Sequence, residues 1–310
     1  MELRSTWRSG LRLLLLGVVV VGSVARPAAA QKSVAGMIGK DIEHTARDIW
    51  AVWTAPFDGS SRDYASALFL IGSAAAISPI DDDVDRWAVR NQNASALDFL
   101  EPFRKGGALY GGGRAVPAVA ALYVAGIVTK KQGLRDAVTG CGATWASNHV
   151  FRRYVLYQLV GRERPDPTRG ENPPPAAEPG DQYRFDVPNG GDWGWNSFPG
   201  GHIANIAGCA SFFNNRYHLG FVEPVIYAIP VAIWLARTVD RAHWMSDNWL
   251  GAVMGYAIGR EVAHRQLRRE ADRKAAIANG SVGAAPVPPG DGPYIARGPE
   301  GMQFGWQFRF

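Results

Sequence analysis

At the amino end an apolar run from residue 13 to 21 follows Arg4, Arg8 and Arg12 and precedes Ala28, Ala29 and Ala30. A basic start, a short apolar middle and small residues before Gln31 predict a secretory signal peptide over residues 1–30, so that the mature chain works in the periplasm or cell envelope. The run is shorter than the ~20 residues that span a bilayer, which ranks an uncleaved anchor second. Over residues 33–53, Ile38, Ile42, Ile49, Val52 and Trp53 fall at helical spacing and stop before Pro56, giving an amphipathic leading helix. The uncharged stretch 64–80 predicts an apolar helix with a solvated end at Asp81, Asp82, Asp83 and Asp85. Those aspartates do not fit a calcium loop, since Arg86 stands where glycine is needed and Gln92 where a bidentate glutamate is needed.

Segments 115–129, 135–160, 201–214, 218–239 and 247–261 continue the series, so the pattern predicts an all-α helical bundle. None after residue 30 reaches 18 strongly apolar residues without a charge, and mean hydropathy is −0.12. Hydropathy therefore does not force a membrane assignment, although several uncharged, Gly- and Ala-rich segments permit one. Residues 166–197 hold six prolines and five glycines, too irregular for a helix and too long for an ordinary connection; such a loop covers a site. The expected organisation is a helical domain over 31–274 with its motif-bearing core at about 60–264, a linker over 275–292, and a strand or hairpin over 293–310. The last element is read from strict alternation of Met302, Phe304, Trp306, Phe308 and Phe310 with polar or glycine positions, pairing with residues 294–297.

Composition narrows the function. With 47% hydrophobic and 20% charged residues in 310, the chain buries a large core and is not disordered. Four leader arginines against one glutamate leave only +2 of the +5 formal charge for the rest, which argues against a nucleic-acid partner. Cys141 and Cys209 are too few for a disulfide framework; both lie among small residues in apolar helices, which favours buried thiols over a bridge, although an oxidising compartment permits one.

Three clusters at predicted helix edges suit a phosphate: Gly161-Arg162-Glu163-Arg164-Pro165, then Ser197-Phe198-Pro199-Gly200-Gly201-His202, then Arg237, His243 and Asp247. Backbone N–H groups after Pro199 can point at an anion, and glycine lets it approach the backbone. Arg164 and Arg237 can grip its non-transferring oxygens bidentately. His243 and Asp247 lie four apart, so on a helix the carboxylate would accept from Nδ1 and leave Nε2 as nucleophile. His202 then serves as general acid and base. His44, His149, His218 and His264 have no such pattern and are read as structural or solvated, while Trp193 and Trp195 before the second cluster could anchor the core or line an entrance.

In this arrangement the sequence resembles the type 2 phosphatidic acid phosphatase (PAP2) superfamily, which also holds bacterial class A acid phosphatases and vanadium-dependent haloperoxidases. The family pattern is Lys, six residues, Arg-Pro; then Pro-Ser-Gly-His; then Ser-Arg, five residues, His, three residues, Asp. The resemblance implies the helical bundle of that family, His243, His202 and Asp247 as catalytic residues, and Arg164, Arg237, Gly200, Gly201 and Tyr157 as the phosphate site. It implies a metal-independent phosphatase acting on phosphate monoesters or diphosphates, lipid-linked ones foremost, through a phosphohistidine. No cofactor is expected, with vanadate only as a phosphate mimic, and the partners are a lipid phosphate and a membrane surface. Three positions depart: Tyr157 replaces the lysine, Gly200 the serine and Ala236 the serine before arginine. The losses at 157 and 200 leave a binding-only envelope protein as the alternative, and a haloperoxidase as a more distant one. Arg153, one helical turn before Tyr157, is the expected substitute for the missing cation, and restoring Lys at 157 and Ser at 200 would be expected to refill the cradle.

Overall fold

The computed structural model describes residues 33–55, 57, 59–91, 93–111, 115–167, 179–186 and 193–278, with the backbone alone at 108–111, 193, 292–298 and 301–307. Residues 1–30, expected to be a signal peptide, lie outside them, as do most of the expected 275–292 linker and much of the 166–197 loop. The chain forms two compact units, residues 1–37 and 38–310, and the site belongs to the second. The helices are α1 Val34–Thr54, α2 Ser61–Ile77, α3 Asp81–Asn91, α4 Glu101–Gly111, α5 Val116–Val128, α6 Gln132–Phe151, α7 Tyr157–Val160, α8 Gly201–Tyr217, α9 Glu223–Val239 and α10 Met245–Ala278. The fold is all-α. At the carboxyl end β1 (Gly292–Gly298) and β2 (Gly301–Gln307) pair antiparallel, with Tyr294 opposite Gly305 and Arg297 opposite Met302.

Local chemistry sets several boundaries. Ser60 caps α2 in a reciprocal box with Asp63, which fixes where that helix begins. Between α6 and α7 the backbone widens into a π-turn, Arg152–Leu156, in which the Tyr157 N–H reaches back five residues to the Arg152 carbonyl. Gly161 then ends α7 at φ +52°, a left-handed conformation that glycine adopts without steric cost, and sends Arg162 to Arg164 off in extended form.

The centre of the bundle is α8, packed against α10 and flanked by α6, α9 and α4. The α8–α10 contact is a stripe of glycines. A Cβ at Gly251 would lie 2.3 Å from the Gly200 carbonyl oxygen, one at Gly255 2.1 Å from that of Ala204, and one at Gly259 2.0 Å from that of Gly208. Four-residue spacing keeps the three on one helix face, so the two backbones touch. Phe212 and Val262 continue this seam into an apolar core with Ala143 and Ala263. Cys141 on α6 and Cys209 on α8 form a disulfide with a Cα–Cα separation of 4.9 Å, against the expectation of free thiols; the helices cross where both small-residue positions meet.

Two other expectations change. The aspartates opening α3 are not all solvated: Asp81 and Asp85 are buried, paired with Arg162 (2.9 Å) and Arg241 (2.7 Å), while Asp82 is half-buried and Asp83 exposed. The last helix continues past Lys274 to Ala278, and its basic residues Arg265 and Arg269 converge on buried Asp48 of α1. Apolar residues remain exposed in quantity on α2 (Leu68, Phe69, Ile71) and around α9 (Phe221, Val225, Val231). Two helical stretches, Asp63–Asn91 and Gly220–Val239, are long and apolar enough to cross a membrane by length and composition.

Candidate active site

The three clusters converge. His202 stands second in α8, half-buried, and its ring centroid lies 6.1 Å from that of His243. Nη1 of Arg164 lies 3.5 Å from Nε2 of His243. Arg164 is buried and anchored by Asn196, whose Oδ1 accepts from its Nη2 at 2.6 Å, and by the Ala242 carbonyl. Arg237, in the last turn of α9, is buried beside Asp240 at 3.3 Å.

His243 precedes α10 rather than lying on it, so the four-residue face expected to join it to Asp247 does not exist. Its Nδ1 lies 2.8 Å from the carbonyl oxygen of Ser197. A carbonyl only accepts, so Nδ1 carries the proton and Nε2 keeps its lone pair, directed at Arg164. The orienting group is therefore the Ser197 backbone, and the expectation that Asp247 binds Nδ1 is corrected. Asp247, fully buried, instead accepts from Arg162 (2.6 Å) and from Ser197 Oγ (2.5 Å). It thus holds the residue that holds the histidine. Arg162 also reaches Asp81, which accepts from the Ser246 N–H at 2.9 Å, so one buried network fixes both the Arg162–Arg164 strand and the start of α10. Arg241, at φ +55° two residues before His243, is locked in place by Asp85 and the Pro165 carbonyl.

Burial, and then the charges of Arg164, His202 and Arg237, hold His243 well below the usual imidazole range, leaving it neutral and nucleophilic. Burial also pushes Arg164 down to about 9, with Arg237 and Arg152 adding repulsion. Asp247 is raised by burial against the pull of Arg162. The cluster is a low-dielectric pocket of crowded positive charge, the environment that favours a multiply charged oxyanion.

Of the remaining predicted positions, Gly201 opens α8 with one of the donors that a helix start leaves without an intrahelical acceptor. The Gly200 N–H, however, goes to the Asp247 carbonyl at 2.8 Å and is not presented to an anion. Gly200 is instead a contact with α10, where a Cβ would meet Asn248 Oδ1 at 2.5 Å and Asn248 Cα at 2.9 Å. Tyr157 is buried and faces the site; its hydroxyl lies 3.4 Å from the Pro199 carbonyl and accepts from Arg152. Arg153, the expected substitute cation, is exposed, and Arg152 is the buried one. Trp195 stacks under the Arg184 guanidinium at 5.2 Å, and the Trp193 side chain lies outside the described residues. Among the described residues no group of three or more His, Cys, Asp or Glu could hold a metal ion.

Sequence reasoning missed Asp81 and Asp85 and gave no role to Arg162 and Ser197 within their clusters, because the signal is tertiary: ion pairs between residues 81 and 156 positions apart leave no local pattern.

Residues 135–271 match the family model described as PAP2 superfamily, a span that runs from α6 through α10 and includes every histidine and arginine of the cluster. Over that span the chain is similar to the PAP2 superfamily. Phosphatase-type chemistry is the activity that this similarity supports. No curated protein and no solved structure matches the chain.

Proposed function

We propose that the protein is a metal-independent phosphatase of the cell envelope that hydrolyses phosphate monoesters or diphosphates, lipid-linked ones foremost. The observation that carries this reading is the neutral His243 with Nε2 facing Arg164 and with His202 6.1 Å away. Nε2 attacks phosphorus, the P–O bond to the leaving group breaks, and His202 donates a proton to the departing oxygen. His202 then takes a proton from water, the water oxygen attacks phosphorus, the P–N bond breaks, and Nε2 recovers its lone pair as inorganic phosphate leaves. Arg164 and Arg237 neutralise the charge spread over the equatorial oxygens.

Lipid-linked substrates and a membrane surface are supported by the exposed apolar faces of α2 and α9. An apolar cavity of about 930 Å³ between α2, α8, α9 and α10 supports them further; Phe69, Leu70, Trp234, Trp249 and Tyr256 line it, and so does Ile203, next in the chain to His202. No residue of the histidine–arginine cluster lines that cavity, so it is read as room for a tail and not for the phosphate. The Cys141–Cys209 bridge supports an oxidising compartment.

The test is turnover of soluble and lipid phosphate esters by purified protein in EDTA. Activity that persists in EDTA supports the reading; activity that appears only with an added divalent cation overturns the metal-independent mechanism, and no activity on any ester overturns the enzyme.

A further inference from the structure

The π-turn after α6 has a consequence for the charge of the site. An α-helical count places Arg153 one turn before Tyr157. The extra residue of the π-turn shifts the register, so Arg152 and Tyr157 share a face and Arg153 points outward. The Arg152 guanidinium sits 5.1 Å from the centroid of the Tyr157 ring, and Nη1 donates to its hydroxyl. From there it lies over the first residue of α8: a Cβ at Gly201 would fall 1.4 Å from Nη1 and 2.8 Å from Nη2, so only a glycine admits it.

Arg152 is buried, with a relative exposure of 7% for the whole residue. No carboxylate pairs with it among the described residues, and its Nε has no hydrogen-bond partner among them. Its remaining neighbour, Nδ1 of His149 at 3.4 Å, is an imidazole and supplies no counter-charge; burial and the Arg152 cation itself push it down to about 4, so it is neutral. A buried cation that lacks a counter-charge is costly unless an anion arrives to meet it. Arg164 feels the same charge, repelled by Arg152 as it is by Arg237.

The geometry points to Arg152 as a phosphate-binding residue, its guanidinium taking the place in the oxyanion cradle that a lysine at position 157 would hold, with Tyr157 as its brace. This rests on the phosphate-transfer reading of the site and adds a third cation to it. Tyr157 is then not a loss of charge but the partner that positions a charge supplied from another turn of the chain.

The experiment measures orthovanadate binding by calorimetry, and kcat and KM on p-nitrophenyl phosphate, for wild type, Arg152→Gln, Arg152→Lys, Arg153→Gln and the double variant Arg152→Gln/Tyr157→Lys. Losing a charge-assisted pair of donors should weaken vanadate binding by about 10- to 100-fold and lower kcat by about 100-fold in Arg152→Gln. Arg153→Gln should match wild type, Arg152→Lys should stay within about tenfold, and Lys at 157 should recover at least part of the loss. Wild-type affinity in a folded Arg152→Gln overturns the inference alone. So does an equal loss in Arg152→Lys and in the double variant, since a merely structural arginine would respond in that way. Should Arg152→Gln fail to fold, Arg152→Lys decides: vanadate retained supports the assignment, and vanadate lost from a folded protein overturns it. A wild type that binds vanadate without hydrolysing esters removes the enzyme reading and leaves Arg152 to be judged on binding; a wild type that binds none overturns both.

Discussion

Replacing Gly255 by alanine sets two effects of opposite sign against each other. In a helix interior alanine is worth about 1 kcal/mol over glycine. At Gly255 the new Cβ would lie 2.1 Å from the Ala204 carbonyl oxygen, 2.9 Å from its carbon and 3.0 Å from the Gly208 nitrogen, where ordinary contact begins at 3.4 Å. All three are backbone atoms, so no rotamer change relieves the clash and α8 must move off α10 by roughly 1 Å. Overpacking of this kind costs about 1–3 kcal/mol and sometimes more, and an opened seam forfeits a quarter to a half of the dispersion energy along it. The overpacking outweighs the propensity, and we expect a net loss of about 1–2 kcal/mol, read as a fall of about 2–8 °C in Tm for a chain of this size. Gly72→Ala is the control, in the interior of α2 with nothing within 4 Å of its Cβ, and should raise Tm by about 2–4 °C. The same displacement separates His202, at the start of α8, from the turn that carries His243. An error of 1 Å there should cost about 100-fold in kcat. Scanning calorimetry and a phosphatase assay on both variants give the readouts. A Gly255→Ala protein stabilised as much as Gly72→Ala would refute the close-packed seam and the positioning that follows from it.

Gly200→Ser, although it recreates the family residue, should lower both stability and turnover, because its Cβ meets the Asn248 backbone at 2.9 Å; a stable, faster variant would show that the cradle does lack a hydroxyl. Stability should also fall with acid. His44 is held at about 4 by burial and by Arg269, against 6.5 when exposed, so its contribution is complete above pH 6.5 and declines below it by about 1.4 kcal/mol per pH unit until about pH 4. Urea denaturation at pH 7 and pH 5.5 should show a smaller acid-induced loss in His44→Gln than in wild type, and equal losses would contradict this.

Much of the site was legible in the chain because its chemistry is packed into three short clusters whose order and spacing survive without any fold. Arg164, His202 and His243 meet as those clusters suggest. What the sequence hid was tertiary. Four aspartates after an apolar helix look solvated, and nothing local shows that Asp81 and Asp85 find Arg162 and Arg241. Counting 3.6 residues per turn selected Arg153, and one inserted residue in the π-turn made it Arg152. Asp247 was expected on His243 because helical periodicity was extended two residues beyond where α10 begins. Helix α4 was not anticipated at all, since Pro102, Gly106, Gly107 and Gly111 blur its period. The charged segment after Arg265 belongs to α10, whose basic residues find their acid partner on α1.

The central claim is a covalent phosphate on His243. Wild type mixed briefly with a 32P-labelled phosphate ester, quenched in alkali where a phosphoramidate survives, should carry label that is lost on acid treatment and absent from His243→Ala. Label retained in His243→Ala, or an active wild type that never becomes labelled, would contradict the account.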